Sequence, residues 1–501
     1  MTDALTRRQI LGLTGATMAG AAGIAACSSG SGASHASTLA VPVPSTGNGP
    51  PYVTRPDLTP PHITITHRNP HAGSGYVFLN APYSGPGHGG SMIIDYNGDL
   101  VWFGPNTRTE HRMNVDVQTY QGRKVLTWWE GLVVQGYGLG RLVIADSSYR
   151  VRHMISAANG LMADLHEFVV TPQGTALITA YKRSKADLSS IGGPKSGYLL
   201  SGVAQEIDIA TGKLLFEWDS RDHVALTETY QKYESGTGTA EKPFNYFHIN
   251  SIAIDPTDNN LIISSRNTWT VYKVHRPSGR VIWRMNGKMS DFTMEPRTHY
   301  YWQHHVRPRT PGVLTVFDNG ASPAEEKHSR ALMLRVDEKA RRVSLIKAYI
   351  HPGADLLAGA MGSAQLMPNG NMFAGWGTCP NFSMFAHDGT LLLDGQMTKG
   401  DPSYRAFTHP WIGHPTDRPA VAARHRSGGA TVYASWNGAT QVAFWTVLAG
   451  KTRSTVSRIG RARKSGFETV MPVHGAGPFF AVEARDSSGR LLARSPIVEV
   501  R

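Results

Sequence analysis

Three histidines and one arginine carry the chemistry that this chain's spacing suggests: His166, His248, His304 and Arg266. Each histidine opens a short alternating run that ends in a Pro/Gly/Asn turn. His166-Glu-Phe-Val-Val-Thr runs into Pro172-Gln173-Gly174, His248-Ile-Asn-Ser-Ile-Ala-Ile into Pro256-Thr257-Asp258-Asn259, and His304-His305-Val-Arg-Pro into Thr310-Pro311-Gly312. Asn114 and Ser363 hold the same place in two further runs. One buried histidine is more often a hydrogen-bonded structural residue than a functional one; three at equivalent positions reverse that expectation. Three neutral imidazoles suit Zn²⁺ or Cu²⁺. Alternatively, one imidazole is a nucleophile and the others, with a guanidinium, hold an anion. Arg266 favours the second chemistry, because a fixed positive charge opposes a metal cation, whereas its planar fork matches a tetrahedral oxyanion.

These residues need elements that converge. Phe244 to Trp283 reads as four successive strands, HINSIAI, LIISSRN, TVYKVH and RVIW, separated by turn residues. Alternating apolar and β-branched residues between such turns are the strand signature, and four antiparallel strands in about 40 residues make one propeller blade. Five similar units are legible around it. They begin at Gly75, Met113, His166, His304 and Ser363, and several end in an aromatic wedge, as in GDLVWF, GKLLFEW and GRVIW. The expectation is an all-β, six-bladed β-propeller in which the first strand of each blade lines a central channel. The second strands of the units end at Trp128, Tyr181, Arg266, Asn319 and Trp376, so Asn319, Tyr181 and Trp376 join the predicted pocket as substrate-binding residues. The insertions 183–202 and 219–242 are expected as loops on the binding face. After Asp417 short strands such as TVYASW and VAFWTV suggest an immunoglobulin-like β-sandwich.

The chain therefore divides into 1–27, a signal; 28–51, a Ser/Gly/Pro-rich flexible linker; 52–417, the catalytic propeller; and 418–501, the sandwich. Arg7-Arg8 precedes a soft apolar run from Leu11 to Ala26, the pattern of twin-arginine export, and Ile24-Ala25-Ala26-Cys27 reads as a lipobox with Cys27 as the lipidation site. The expected location is the outer face of the cytoplasmic membrane, held there by that lipid. With only two cysteines, lipidation of Cys27 would leave Cys379 unpaired. Hydrophobic residues make up 41%, and 53 glycines with 30 prolines suit a turn-rich β chain. The net charge of +13 favours anionic small substrates. Nucleic acid is not expected as a partner, since export separates the two and no nucleic-acid-binding motif occurs.

Residues 52–417 resemble the bacterial arylsulfate sulfotransferases. The resemblance rests on RPDLTPP at Arg55 to Pro61, HINSI followed by SSR eighteen residues after His248, QHH before VFDNG, and GSAQLMPNGN with YRAF and HPW downstream. It implies a six-bladed propeller with catalytic groups around the axial channel. By this resemblance His304 takes up the sulfuryl group covalently, His248 and Arg266 bind sulfate oxygens, and His166 is a further channel histidine; in the mechanism this implies, a neighbouring imidazole such as His166 protonates the leaving phenolate and later deprotonates the acceptor phenol. The implied reaction is ping-pong transfer from an aryl sulfate to a phenolic acceptor, with no nucleotide or other cofactor and no metal. Two departures stand out: Glu167 follows His166 where the family often has His or Asp, and Gln303-His304-His305 offers two imidazoles, of which the one after the Gln is preferred. Tyr246, Tyr300, Tyr301, Trp302 and Trp376 could stack on aryl rings or pack the blades. Two other classes compete with this reading: a metal- or quinone-dependent oxidoreductase, and a non-catalytic ligand-binding propeller of the cell envelope.

Overall fold

The computed structural model describes residues 52–82, 88–353, 355–398 and 400–500. The signal, the linker and Cys27 lie outside the described residues. No α-helix occurs among those described; the chain is all-β and propeller-like.

The stretch from Ile249 to Met285 forms a four-stranded antiparallel sheet as its pattern predicts, with strands Ile249–Ile254, Leu261–Ser265, Thr270–Val274 and Val281–Met285 in chain order. Its first turn is built by Asp255, whose Oδ1 accepts from the Thr257 N–H at 2.8 Å while Asn259 adopts a left-handed φ of 62°. That conformation suits Asn and Gly.

Five more four-stranded units surround it. The units beginning at His111–Tyr120 and Ala163–Val170 join into one nine-stranded sheet through a single pairing, Gly140 with Ala163. The units beginning at His304–Thr310 and Ser363–Leu366 keep separate sheets, each with one added outer strand. The unit starting at Tyr76–Ala81 departs from the expected order. Its inner neighbour is not a preceding strand but Phe407–His409, paired as Tyr76 with His409 and Phe78 with Phe407. At the other end of the chain, Ile63–Arg68 lies along the outside of Leu391–Met397. Each terminus of the repeat array thus covers an edge that would otherwise present unpaired backbone.

Six apolar clusters lie between successive units. Trp102 and Trp128 share one, Trp129 and Phe168 the next, and Trp218 and Tyr272 the third. Trp283 and Val316, then Phe317 and Trp376, then Phe382 and Leu79 complete the circuit back to the first unit. Polar stitches run between inner strands. Gln118 donates to Phe168 O at 2.8 Å and accepts from Val170 N at 2.7 Å, and Gln365 brackets Thr408 in the same way at 3.0 and 2.9 Å. Buried backbone groups are satisfied across each seam, as an interior requires.

The insertion 183–202 is mostly not a loop. Thr175–Ala186 pairs with Gly197–Asp208 along its whole length, so two long strands continue outward and only the tip is irregular. Residues 220–243 carry two short 3-10 turns and the two-residue strand Phe244–Asn245 follows. Beyond it, Ala420–Arg426, Gly429–Ser435 and Glu468–His474 make one sheet, and Phe444–Gly450 with Phe479–Arg485 centre a second. The two enclose Trp445, Val447, Met471 and Phe480. They dock on the ring where Glu468 accepts from Val53 N and Thr54 N at 3.1 and 2.6 Å, and where Asn437 binds both backbone groups of Phe103. Cys379 is fully buried beside Trp376.

Candidate active site

The four chemistry-bearing residues meet. The His166 and His248 rings lie 4.9 Å apart, with Tyr181 at 6.1 Å from the first and 5.9 Å from the second, and Tyr404 at 5.5 Å from His166. Arg266 and His304 join them through one turn. Arg266 Nη2 donates to Gly359 O at 3.0 Å, and Met361 N donates to His304 Nε2 at 3.3 Å.

Backbone strain gathers here. His248, Trp302, His305 and Met361 all have positive φ, between 50° and 66°. Non-glycine residues seldom take that conformation unless the surroundings hold them there. It lets the inner strands begin abruptly and aim their first side chains inward.

The hydrogen bonds determine where the imidazole protons sit. Asn319 Nδ2 donates to Ala358 O and Met361 O, both at 3.0 Å, so its Oδ1 faces His304 as an acceptor. His304 Nδ1 is 2.7 Å from that oxygen and 3.1 Å from Trp302 O, and therefore carries the proton. The lone pair is left on Nε2. His248 is the reverse case. Its backbone N–H donates to Asn245 Oδ1 at 3.0 Å, which turns Asn245 Nδ2 toward His248 Nδ1 at 2.9 Å. Nδ1 accepts, so Nε2 carries the hydrogen. One histidine thus presents a lone pair and another a donor.

Electrostatics keep the His304 imidazole neutral. Burial first, then the Arg266 charge, hold the His304 imidazole well below its ordinary value, against a smaller opposing bond from Asn319. Burial and then His166 and Arg266 do the same to His248. Arg266 is pushed down to about 10 by burial and still carries its proton at neutral pH. No carboxylate pairs with it among the described residues; it rests 4.7 Å over the Trp302 ring and donates to Asn267 Oδ1 at 3.0 Å. A half-buried guanidinium without a carboxylate partner is suited to binding an anion.

The other expected residues divide. Tyr181 lines the cluster, its hydroxyl donating to Ile249 O at 2.9 Å. Asn319 is fully buried, and its Oδ1 accepts from His304 Nδ1 at 2.7 Å. Trp376 does not belong to the site. Its indole donates to Ser383 at 2.9 Å and its ring packs on Phe317 and Phe385 inside a blade seam, because its strand turns that face to the core. Tyr246 and Tyr300 are likewise core residues, while Trp302 carries Arg266. His305 points away from His304: its Nδ1 accepts from Ala364 N at 3.1 Å and its ring lies 5.3 Å from Phe407.

Several residues at the site escaped the sequence reading. Asp164 binds His166 Nδ1 at 2.7 Å. Glu167, noted only as a departure, is fully buried and ion-paired to Arg405 at 3.0 Å and Arg307 at 2.6 Å, beneath the histidines. Burial would raise its carboxyl, but the two guanidinium groups outweigh that and hold it below the usual range. Asp164 lies two positions before His166, hence on the same strand face, and that spacing was the available signal. Arg405 belongs to the YRAF stretch, whose place in the ring only the closing strand reveals. Among the described residues no group of three or more His, Cys, Asp or Glu has metal-holding geometry.

Neutral imidazoles beside a guanidinium with no carboxylate partner make a setting whose chemistry suits an oxyanion. The chain belongs to the arylsulfotransferase (ASST) family, whose profile matches residues 116–398, more than half of its length. No curated protein matches it. Among solved structures it is similar to a protein of unknown function from Bacteroides caccae (12% identity, 67% of this chain and 99% of that chain, TM-score 0.41). It is also similar to the Cps50 (Swd1) β-propeller domain of Myceliophteria thermophila (10%, 66% and 97%, TM-score 0.32) and to virginiamycin B lyase from Staphylococcus aureus (8%, 72% and 95%, TM-score 0.31). At these TM-scores the likenesses carry no argument.

Proposed function

We propose that this protein is an arylsulfate sulfotransferase that moves a sulfuryl group from an aryl sulfate to a phenol through a sulfohistidine at His304. One observation carries the reading: His304 keeps its lone pair on Nε2, where in this structure it accepts from Met361 N and must be released to react, beside a half-buried guanidinium that has no carboxylate partner among the described residues. Nε2 attacks sulfur, the S–O(aryl) bond breaks, and its electron pair leaves on the phenolate. Arg266 and the His248 Nε2–H hold the sulfuryl oxygens as charge shifts across them. The acceptor phenol reverses the sequence, regenerating neutral His304 and a new aryl sulfate. No nucleotide enters the scheme.

The test is transfer from 4-nitrophenyl sulfate to phenol. The expected result is phenol-dependent release of 4-nitrophenol, loss of it in His304→Ala, and a sulfuryl adduct on the His304 peptide when acceptor is withheld. A purified protein that binds aryl sulfates without turnover would instead make it a ligand-binding propeller, and a bound chromophore or metal would favour the oxidoreductase class.

The same reading includes a six-bladed ring with an immunoglobulin-like sandwich from about residue 418, supported by the six inter-unit clusters and the two C-terminal sheets. It also includes export by the twin-arginine route and a lipid anchor at Cys27. The chain has two cysteines, and a lipid on Cys27 would exclude a Cys27–Cys379 crosslink. Non-reducing peptide mapping of protein from native membranes reads out which one forms: a diacylglyceryl peptide supports the anchor, and a Cys27–Cys379 crosslink rejects it.

A further inference from the structure

We infer that Asp164 is the positioning residue for the acid–base imidazole His166, fixing its ring so that Nε2 protonates the departing phenolate and deprotonates the incoming phenol. The inference rests on the sulfuryl-transfer reading above and adds to it the residue that makes its acid–base step work.

The geometry is specific. Asp164 and His166 are both buried, and their side chains meet at 2.7 Å between Oδ2 and Nδ1. Asp164 is itself held from three further sides. Oδ1 accepts from Gly138 N at 2.6 Å, and Oδ2 accepts from His166 N at 3.0 Å and Thr179 Oγ1 at 2.8 Å. Burial works against the charge, but His166 and these N–H groups outweigh it and keep the carboxyl below the usual range. An ionised acceptor saturated with donors has one free role toward the ring, which is to take the Nδ1–H. That leaves His166 Nε2 as the nitrogen that gains and loses a proton, in a ring that lies 4.9 Å from His248 and 5.5 Å from Tyr404. When Nε2 is protonated, the imidazolium meets a counter-charge inside the protein. Arg266 and the Glu167–Arg405–Arg307 group are the other charges nearby, and Glu167 is already paired.

The step balances. As His304 Nε2 bonds to sulfur and the S–O(aryl) bond breaks, the proton on His166 Nε2 passes to the aryl oxygen, giving neutral phenol and neutral His166. In the second half the acceptor hydroxyl returns a proton to His166 Nε2 as its oxygen bonds to sulfur. Asp164 stays ionised throughout, orienting the ring as the carboxylate of a hydrolase triad does.

A purely structural Asp164, tying the 137–145 strand to its neighbour, predicts different behaviour, and leaving groups tell the two apart. A phenolate as stable as 4-nitrophenolate departs unaided; unsubstituted phenolate needs a proton. In Asp164→Asn, kcat/KM should fall about 100-fold with phenyl sulfate as donor and only a few-fold with 4-nitrophenyl sulfate. Adding His166→Asn should cost little more. Thr179→Val removes a bond to the same carboxylate and should affect both donors equally. Independently of activity, ¹⁵N NMR should find a hydrogen-bonded Nδ1–H on His166 in the native protein and lose it in Asp164→Asn. Equal losses on both donors, or an unchanged His166 signal, overturn the positioning role while leaving the sulfuryl reading intact. A native protein inactive on both donors while the NMR signature holds overturns the sulfuryl reading, and the positioning role with it.

Discussion

The nucleophilic role proposed for His304 follows from what surrounds its two nitrogens. Asn319 is locked by two carbonyls, so Nδ1 must donate and Nε2 must keep its lone pair. Asn319→Ala should therefore lower the rate by at least tenfold while leaving the affinity for aryl sulfate nearly unchanged, as kcat and KM measured separately would show. Arg266→Lys is not a conservative change. An ammonium supplies one point charge where a flat fork meets two oxygens, and a loss on the order of 10²-fold in kcat is expected. The depressed basicity of His304 sets the sign of the pH response. The neutral, reactive form persists as pH falls below the ordinary imidazole value of about 6.5, so the first half-reaction should stay level into mild acid; a rate that falls in step with an ordinary imidazole would contradict the buried, Arg266-shadowed setting.

Between residues, turns and strands do the placing. The Gly359–Met361 turn touches both Arg266 and His304. Gly377 packs against it with φ of 60°, and a Cβ there would come within 2.3 Å of Ala360 O and 3.0 Å of Met361 O. Gly377→Ala should displace that turn and reduce turnover more than it lowers the melting temperature. The inner strand carrying Glu167 has the opposite balance. Two guanidinium groups depend on that carboxylate, and Glu167→Gln leaves both buried charges under-compensated. A loss of about 3–5 kcal/mol in denaturant unfolding is expected. Replacing Arg405 at the same time by Met should recover part of it, because the unpaired charge is then gone.

For the molecule as a whole, His248, His304 and His305 are all held well below the usual imidazole value, each chiefly by burial. The folded chain keeps these rings neutral where the unfolded chain protonates them. As pH drops through about 6.5 the unfolded state binds more protons, so stability falls. The depressed carboxylates Asp164 and Glu167 add to the loss only at lower pH, below about 4. Thermal melts from pH about 7.5 to about 5.5 should slope downward, and His305→Gln, which lies outside the catalytic cluster, should flatten that slope. A melting temperature constant over that range would count against neutral buried imidazoles.

The amino-acid order alone determined the strand-and-turn repeat and, in all units but the first, which segment forms the inner strand. Alternation and turn chemistry are local, so HINSIAI and LIISSRN were legible as a hairpin with His248 and Arg266 at one end. It also determined which residues could do oxyanion chemistry. What only the tertiary structure decided is how the ring closes and which polar groups serve each imidazole. Phe407–His409 pairs with a strand more than three hundred positions earlier, a contact that no local pattern encodes. Trp376 and Asn319 sit at matching places in their units, yet one turns into a seam and the other onto His304. That difference arises from packing between blades, which sets side-chain direction after the strands themselves have formed.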